Sequence, residues 1–187
     1  MGTQIPAIAE KPLAACGCKK FQIDCLGDHL CTCTAHSGAK KAHDWAVDQI
    51  VDLFLTTHKV KTQQVVKSRG HHCGDIEMDV YLANAVGPVP LVLDLLLVHE
   101  RWGSSADPNL NGNLHYPNDK DRSLNEAASD KIRKYRADYN NNPDAISFMP
   151  SISSTSGRLH SEFIRLLFLQ DHRETDRFFT SSGVQLA

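Results

Sequence analysis

The stretch Val89-Pro90-Leu91-Val92-Leu93-Asp94-Leu95-Leu96-Leu97-Val98 decides the fold. Apart from Asp94 it is apolar on both alternating faces, which reads as a strand buried on both sides. A lone carboxylate there costs several kcal/mol, on the order of the buried-charge penalty, unless it is paired, protonated or bound to a metal. Upstream lies Gly74-Asp75-Ile76-Glu77-Met78-Asp79-Val80-Tyr81-Leu82. Its alternation puts Ile76, Met78, Val80 and Leu82 on one face and Asp75, Glu77 and Asp79 on the other. Paired strands lie about 4.8 Å apart, so Asp75 and Asp94 can converge on one cation, with Glu77 as a third candidate. Hard divalent cations such as Mg²⁺ or Mn²⁺ prefer carboxylate oxygen. Held over a phosphodiester, such an ion lowers the pKa of a water and offsets charge on phosphorus.

Working outward, the chain has 187 residues, 41% hydrophobic and 22% charged, enough for one domain with a real core. No apolar run reaches the roughly 18 residues of a membrane span, so no membrane partner is expected. Met1 to Lys20 lacks the apolar core of a secretion signal, so the expected location is nuclear or cytoplasmic, not secreted. The net charge of −2 means that the molecule as a whole is no magnet for nucleic acid. Two local basic segments stand out: Lys59, Lys61, Lys67 and Arg69 with His71 and His72, and Lys131, Arg133, Lys134 and Arg136. A solvated face is the plain reading of each.

Three regions follow. Residues 1–15 are a flexible lead-in, 16–36 a Cys/His segment and 37–180 an α/β domain. Ser37 can cap a helix from about Ala39 to Leu55, with Ala42, Ala46, Ile50 and Leu53 at helical spacing. Lys59 to Val66 reads as a strand, followed by the Asp75 strand, a turn at Asn84 to Pro88 and the Asp94 strand. Residues 102–121 read as a long loop. A helix is expected over Arg122 to Asn140 with Leu124, Ala128, Ile132 and Tyr135 on one stripe, then a short strand from Ala145 to Met149. Pro150 to Gly157 reads as a Ser-rich connection. A last helix covers Leu159 to Leu169 or as far as Phe179, burying Leu159, Phe163, Leu166 and Leu167.

All six cysteines lie in the first 73 residues, five of them between Cys16 and Cys33. Without a secretion signal, that clustering favours metal over disulfides. Structural zinc takes four tetrahedral N/S ligands, and Cys16, Cys18, His29 and Cys33 form such a set. Cys25, Cys31 and His36 can substitute for its members. A closed site of this kind leaves no open position for chemistry, so its role is structural. A zinc hydrolase built on His71, His72 and Cys73 is disfavoured, because adjacent residues of an extended strand point in opposite directions.

The stretch from Cys16 to Phe179 resembles the restriction-endonuclease-like domain found C-terminal to reverse transcriptases of some non-LTR retrotransposons, within the PD-(D/E)xK nuclease superfamily. The resemblance rests on an ordered series: Cys16, Cys18, His29 and Cys33; Lys41-Ala42-His43-Asp44 at a helix start; Gly74-Asp75; Leu93-Asp94-Leu95; Ala128, Lys131 and Tyr135 on one helix; Phe148-Met149-Pro150; and Thr155-Ser156-Gly157. It implies an α/β (α+β) fold with an αβββαβ core, a mixed sheet flanked by helices, and a small zinc-binding segment in front. It also implies a DNA endonuclease using Mg²⁺ or Mn²⁺ on Asp75 and Asp94, with structural Zn²⁺. Two positions depart from the pattern. The superfamily lysine falls at Leu96, and Lys131, with Lys134 second, is the stand-in; the proline before Asp75 is Gly74. By the same resemblance His43 contacts a phosphate or positions a metal-bound water, and the zinc segment and the 59–72 stretch hold the DNA backbone. The alternative is a catalytically inactive, zinc-stabilised module that binds nucleic acid.

Overall fold

The computed structural model describes residues 15–21, 23–35, 38–62, 74–81, 87–140 and 147–183. The lead-in before Ala15, the cap Ser37, His36, the strand residues 63–66, Lys67, Arg69, His71, His72, Cys73 and the turn residues 84–86 lie outside them. The elements, in chain order, are α1 (Asp28–Thr32), α2 (Gly38–Leu55), β1 (Val60–Thr62), β2 (Ile76–Tyr81), β3 (Pro88–Val98), α3 (Arg122–Asn140), β4 (Ser147–Ser154) and α4 (Ser161–Ser182). The strands form one four-stranded sheet in the order β1-β2-β3-β4. β1 and β3 run antiparallel to β2, and β4 runs parallel to β3, so the sheet is mixed and the class is α+β.

β3 is the central strand, and its alternation builds both faces of the core. Leu91, Leu93 and Leu95 face one side, with Ile76, Met78 and Val80 of β2. Val47, Val51 and Phe54 of α2 and Phe163 of α4 cover them, and Leu159, Leu166 and Leu167 pack alongside. Leu96 and Val98 face the other side, against Leu124 and Ala128 of α3 and Ile152 of β4. Each such side chain fully removed from water stabilises the fold by about 1.5–3 kcal/mol.

The register gives β3 a second property. β2 pairs with it only as far as Ile76↔Leu93, whereas β4 continues to Val98↔Ser154. Among the described residues, the last third of β3 therefore has a strand neighbour on one edge only. Just before β2, Gly74 lies so close to β3 that a β-carbon would run into the Val92 side chain. A residue other than glycine has no room there.

Several boundaries differ from the sequence reading. The buried stripe of α2 is Val47, Val51 and Phe54, while Leu53 is 39% and Trp45 65% exposed. On α3, Leu124, Ala128 and Tyr135 are buried as expected, but Ile132 is 45% exposed. At 3.6 residues per turn, position 131 completes that stripe, and Lys131 occupies it for a reason given below. β4 extends to Ser154, through the stretch read as a Ser-rich connection, because β3 supplies a parallel partner at every residue. Around the stretch read as a long loop, a short antiparallel hairpin spans Glu100 to His115, linking Trp102 N to Asn113 O at 2.9 Å and His115 N to Glu100 O at 2.9 Å. α4 begins at Ser161, where the His160 side chain accepts the Glu162 N–H, and ends at Gly183, whose φ of 67° returns its N–H to Phe179 and Thr180.

Replacing Leu93 by alanine should cost about 2–5 kcal/mol of stability. Ile132→Ser should change it by no more than about 0.5 kcal/mol. Urea unfolding of the two variants checks this assignment of inner and outer positions.

Candidate metal centre and candidate active site

The Cys/His segment closes as a ligand set. One donor atom from each of Cys16, Cys18, His29 and Cys33 lies within 4.8 Å of the others. Cys16 and Cys33 Sγ are 3.7 Å apart, and Cys18 Sγ is 3.4 Å from His29 Nε2. Zinc–sulfur bonds of about 2.3 Å and zinc–nitrogen bonds of about 2.0 Å at tetrahedral angles require separations of about 3.8 Å and 3.5 Å. The group can therefore hold a metal ion such as zinc. Cys25 and Cys31 stay outside the set.

The local chain explains the geometry. Asp24 accepts the N–H groups of Leu26, Asp28 and His29 at 3.0, 2.9 and 2.8 Å, capping the one-turn helix that carries His29. Burial pushes the Asp24 carboxyl up, but the N–H groups of His29 and Asp28 outweigh it and hold it below the usual range. Cys18 N and Lys20 N point at Cys16 Sγ and Cys18 Sγ. The Lys20 N–H is the main cause of a lowered Cys18 thiol, whereas burial raises Cys16. Binding a cation would deprotonate both.

The hairpin after β3 orients the histidine. His29 Nδ1 lies 3.1 Å from Gly103 O and 2.9 Å from Ser104 Oγ, leaving Nε2 for the ligand position. Gly103 sits against the Asp28 carbonyl, where a β-carbon would not fit. His99, one residue past β3, contacts Asp28 Oδ1 at 3.2 Å and Thr155 Oγ1 at 2.7 Å. These contacts fasten the Cys/His segment to the end of the central strand. Sequence reasoning missed Asp24, Gly103, Ser104 and His99; only Asp24, an acid just ahead of a short helix, carried a readable signal.

The acid pair stands where β2 falls away from β3. Continuing the register by one residue sets Asp75 opposite Asp94, and Asp75 N donates to Leu93 O at 2.8 Å. Beyond that point the Leu95 backbone has no β2 partner. Its N–H donates to Asp75 Oδ2 at 2.8 Å, and its carbonyl lies 3.2 Å from His43 Nε2 on α2. The same Nε2 is 3.3 Å from Asp75 Oδ2. The Asp75 hydrogen bond is the chief reason that His43 rises from its ordinary 6.5 to about 9.

Asp94 is 8% exposed on the α3 face, and Lys131 Nζ donates to its Oδ2 at 2.5 Å. This contact draws position 131 inward and leaves Ile132 to solvent. Burial raises the Asp94 carboxyl even against the Lys131 ammonium, and the nearby Asp75 charge adds to the rise. The four residues named from the sequence thus form two pairs: His43 and Asp75 at the Leu95 backbone, and Asp94 with Lys131 one residue earlier on β3, on the α3 face. Each carboxylate is held by its own cation, and the two share no hydrogen bond. Glu77 is not part of the group: it pairs with Lys61 of β1 at 2.8 Å. Lys134 does not replace Lys131; its ammonium lies over the Tyr135 ring.

Two outcomes follow. The purified protein should carry one zinc per chain by elemental analysis, and Cys33→Ala or His29→Ala should lose it together with much of the melting transition. His43, charged with a raised folded value, contributes stability that is complete below about 6.5 and is lost as pH rises through about 9. In Asp75→Asn the His43 titration, followed by NMR, should fall back toward 6.5. No helix among the described residues is long and apolar enough to cross a membrane. Comparison of the chain with protein-family models, with curated protein sequences and with solved structures finds no match.

Proposed function

We propose that the protein is a divalent-metal-dependent DNA endonuclease of restriction-endonuclease-like type, related to the nuclease domains of non-LTR retrotransposon reverse transcriptases, with a structural zinc in its Cys/His segment. One observation carries the reading. Asp75, just before β2, and His43 of α2 hold the Leu95 backbone, and the preceding residue of β3, Asp94, holds Lys131 of α3, so two carboxylates, a histidine and a lysine stand at neighbouring positions of one strand.

The donor set suits a hard cation. Asp75 and Asp94 offer carboxylate oxygens, and the Leu95 carbonyl, which no strand among the described residues claims, offers a third oxygen. A Mg²⁺ or Mn²⁺ ion there would supply a water of lowered pKa and offset charge on the phosphate. The residues do the rest. Lys131, already on the Asp94 face, would orient the attacking water or donate to the developing negative charge. That ammonium comes from α3 because Leu96, at the superfamily lysine position, packs into the apolar cluster under the same helix. His43, carrying a proton, would donate to a phosphate oxygen; unprotonated, it would turn Nε2 to a metal-bound water. Lys59 and Lys61 on and beside the edge strand β1 and the zinc segment would track the DNA backbone, making affinity fall with salt.

A second reading is supported by the ion pairs themselves. Asp75 with His43 and Asp94 with Lys131 already form neutral couples. A site that stays so paired is a zinc-stabilised DNA-binding module without cleavage.

Nicking of supercoiled plasmid separates the two. The wild type should nick in Mg²⁺ and not in its absence. Asp94→Asn should abolish nicking while keeping zinc, melting temperature and salt-sensitive DNA binding, because asparagine preserves an acceptor for Lys131. Lys131→Met should slow nicking by about 10²–10³-fold, as for loss of one charge-stabilising donor. An Asp94→Asn protein that still cuts, or a wild type that binds but never nicks, refutes catalysis by this site.

A further inference from the structure

The overhang of β3 also borders a cavity of about 400 Å³. Its walls include Leu30 of α1, Ala42 and His43 of α2, Leu96 and Leu97 of β3, and Thr155 just after β4. The lining is mostly carbon, and the volume lies in the range of small-ligand sites. Two features give it a direction. His43 belongs to both places: it lines the cavity and reaches Asp75 and the Leu95 carbonyl. The cavity also reaches Leu96 and Leu97, beyond the last β2 partner of β3 among the described residues.

Strand alternation turns the backbone groups of Leu93, Leu95 and Leu97 toward the side that β2 vacates. Leu93 O takes the Asp75 N–H, and the Leu95 pair is taken by Asp75 and His43. At Leu97 the N–H and C=O face the same side, and among the described residues no group outside the β3–β4 ladder meets them. A donor and an acceptor side by side on an apolar wall are complementary to the edge of a flat heterocycle. Sugar, phosphate or aliphatic ligands would leave either the wall or the polar pair unmatched.

We infer that this cavity is a nucleobase pocket: it receives one unstacked base of the DNA strand, with its edge on the Leu97 backbone and its face along His43 and Ala42. The inference rests on the nuclease reading for the identity of the polymer, and it makes substrate choice depend on a base drawn out of the stack beside the scissile phosphate. Such extrusion costs a few kcal/mol in paired DNA and least at mismatches or single-stranded positions, so junctions and frayed ends should be the preferred targets. Because Leu30 supplies one wall, the pocket requires the zinc segment to be folded.

Methyl NMR of the full zinc-loaded chain tests this. Deoxynucleoside monophosphates at millimolar concentration should shift the Leu30, Ala42, Leu96 and Leu97 methyls saturably, and deoxyribose 5-phosphate should not. Ala42→Trp should weaken that response at least tenfold while leaving zinc content and the Leu93 methyls unchanged. Should Ala42→Trp fail to fold, Ala39→Trp, on the exposed first turn of α2, gives the same block. No methyl shifts, equal shifts with the sugar phosphate, or full response in the folded tryptophan variant overturns the pocket. Asp94→Asn keeps the two claims apart. Base-induced shifts in a wild type that never nicks count against the nuclease reading alone, and nicking without base-induced shifts counts against the pocket alone.

Discussion

A single mismatch of strand lengths organises the molecule. β3 has eleven residues and β2 six, so among the described residues the far end of the central strand has no second strand beside it. Backbone N–H and C=O groups cannot be left without partners at little cost. At Leu95 they are taken by the Asp75 carboxylate and the His43 imidazole in place of another strand. Side chains that would otherwise point to solvent are thereby drawn to one spot, beside the one buried acid of the strand. The candidate site is what remains when a sheet stops pairing early and polar side chains complete it.

Charge balance at that spot is delicate. Asp94 is raised by burial although Lys131 donates to it directly, and His43 is raised chiefly by Asp75. Two acids and two bases form a nearly neutral set, which lets a protein of ordinary stability hold them in a half-dry position. A divalent cation would compete with His43 and Lys131 for the same oxygens. On the proposed reading, metal affinity and the freedom of Lys131 to act on a phosphate would be linked, since an ion held by Asp94 would displace the ammonium.

Much of this was legible in the chain. An acid inside a run of leucines and valines cannot be neutral to the fold, and Asp94 is conspicuous in the chain for that reason. The Cys/His segment was readable as a metal site from its crowding of thiols around His29, but Cys25, Cys31 and His36 were also eligible on sequence, and among the described residues the fold is what selects Cys16, Cys18, His29 and Cys33. Other features depended on long-range partners. Ser147 to Ser154 looks like a turn-rich connection until β3 is laid beside it, because its strand character comes from the ladder and not from its side chains. Ile132 fits the apolar period of α3, but the attraction of Lys131 for Asp94 settles the rotation of that stripe. Gly103, Ser104 and His99 act through contacts some 70 residues away in sequence, and no local pattern announces such contacts.

The most direct measurement is the anomalous difference density of a crystal soaked in Mn²⁺. The proposed chemistry requires a peak bounded by the Asp75 and Asp94 carboxylates and the Leu95 carbonyl, with Lys131 withdrawn from Asp94. Density confined to the Cys/His centre, with the His43–Asp75 and Lys131–Asp94 pairs intact at saturating Mn²⁺, would contradict it.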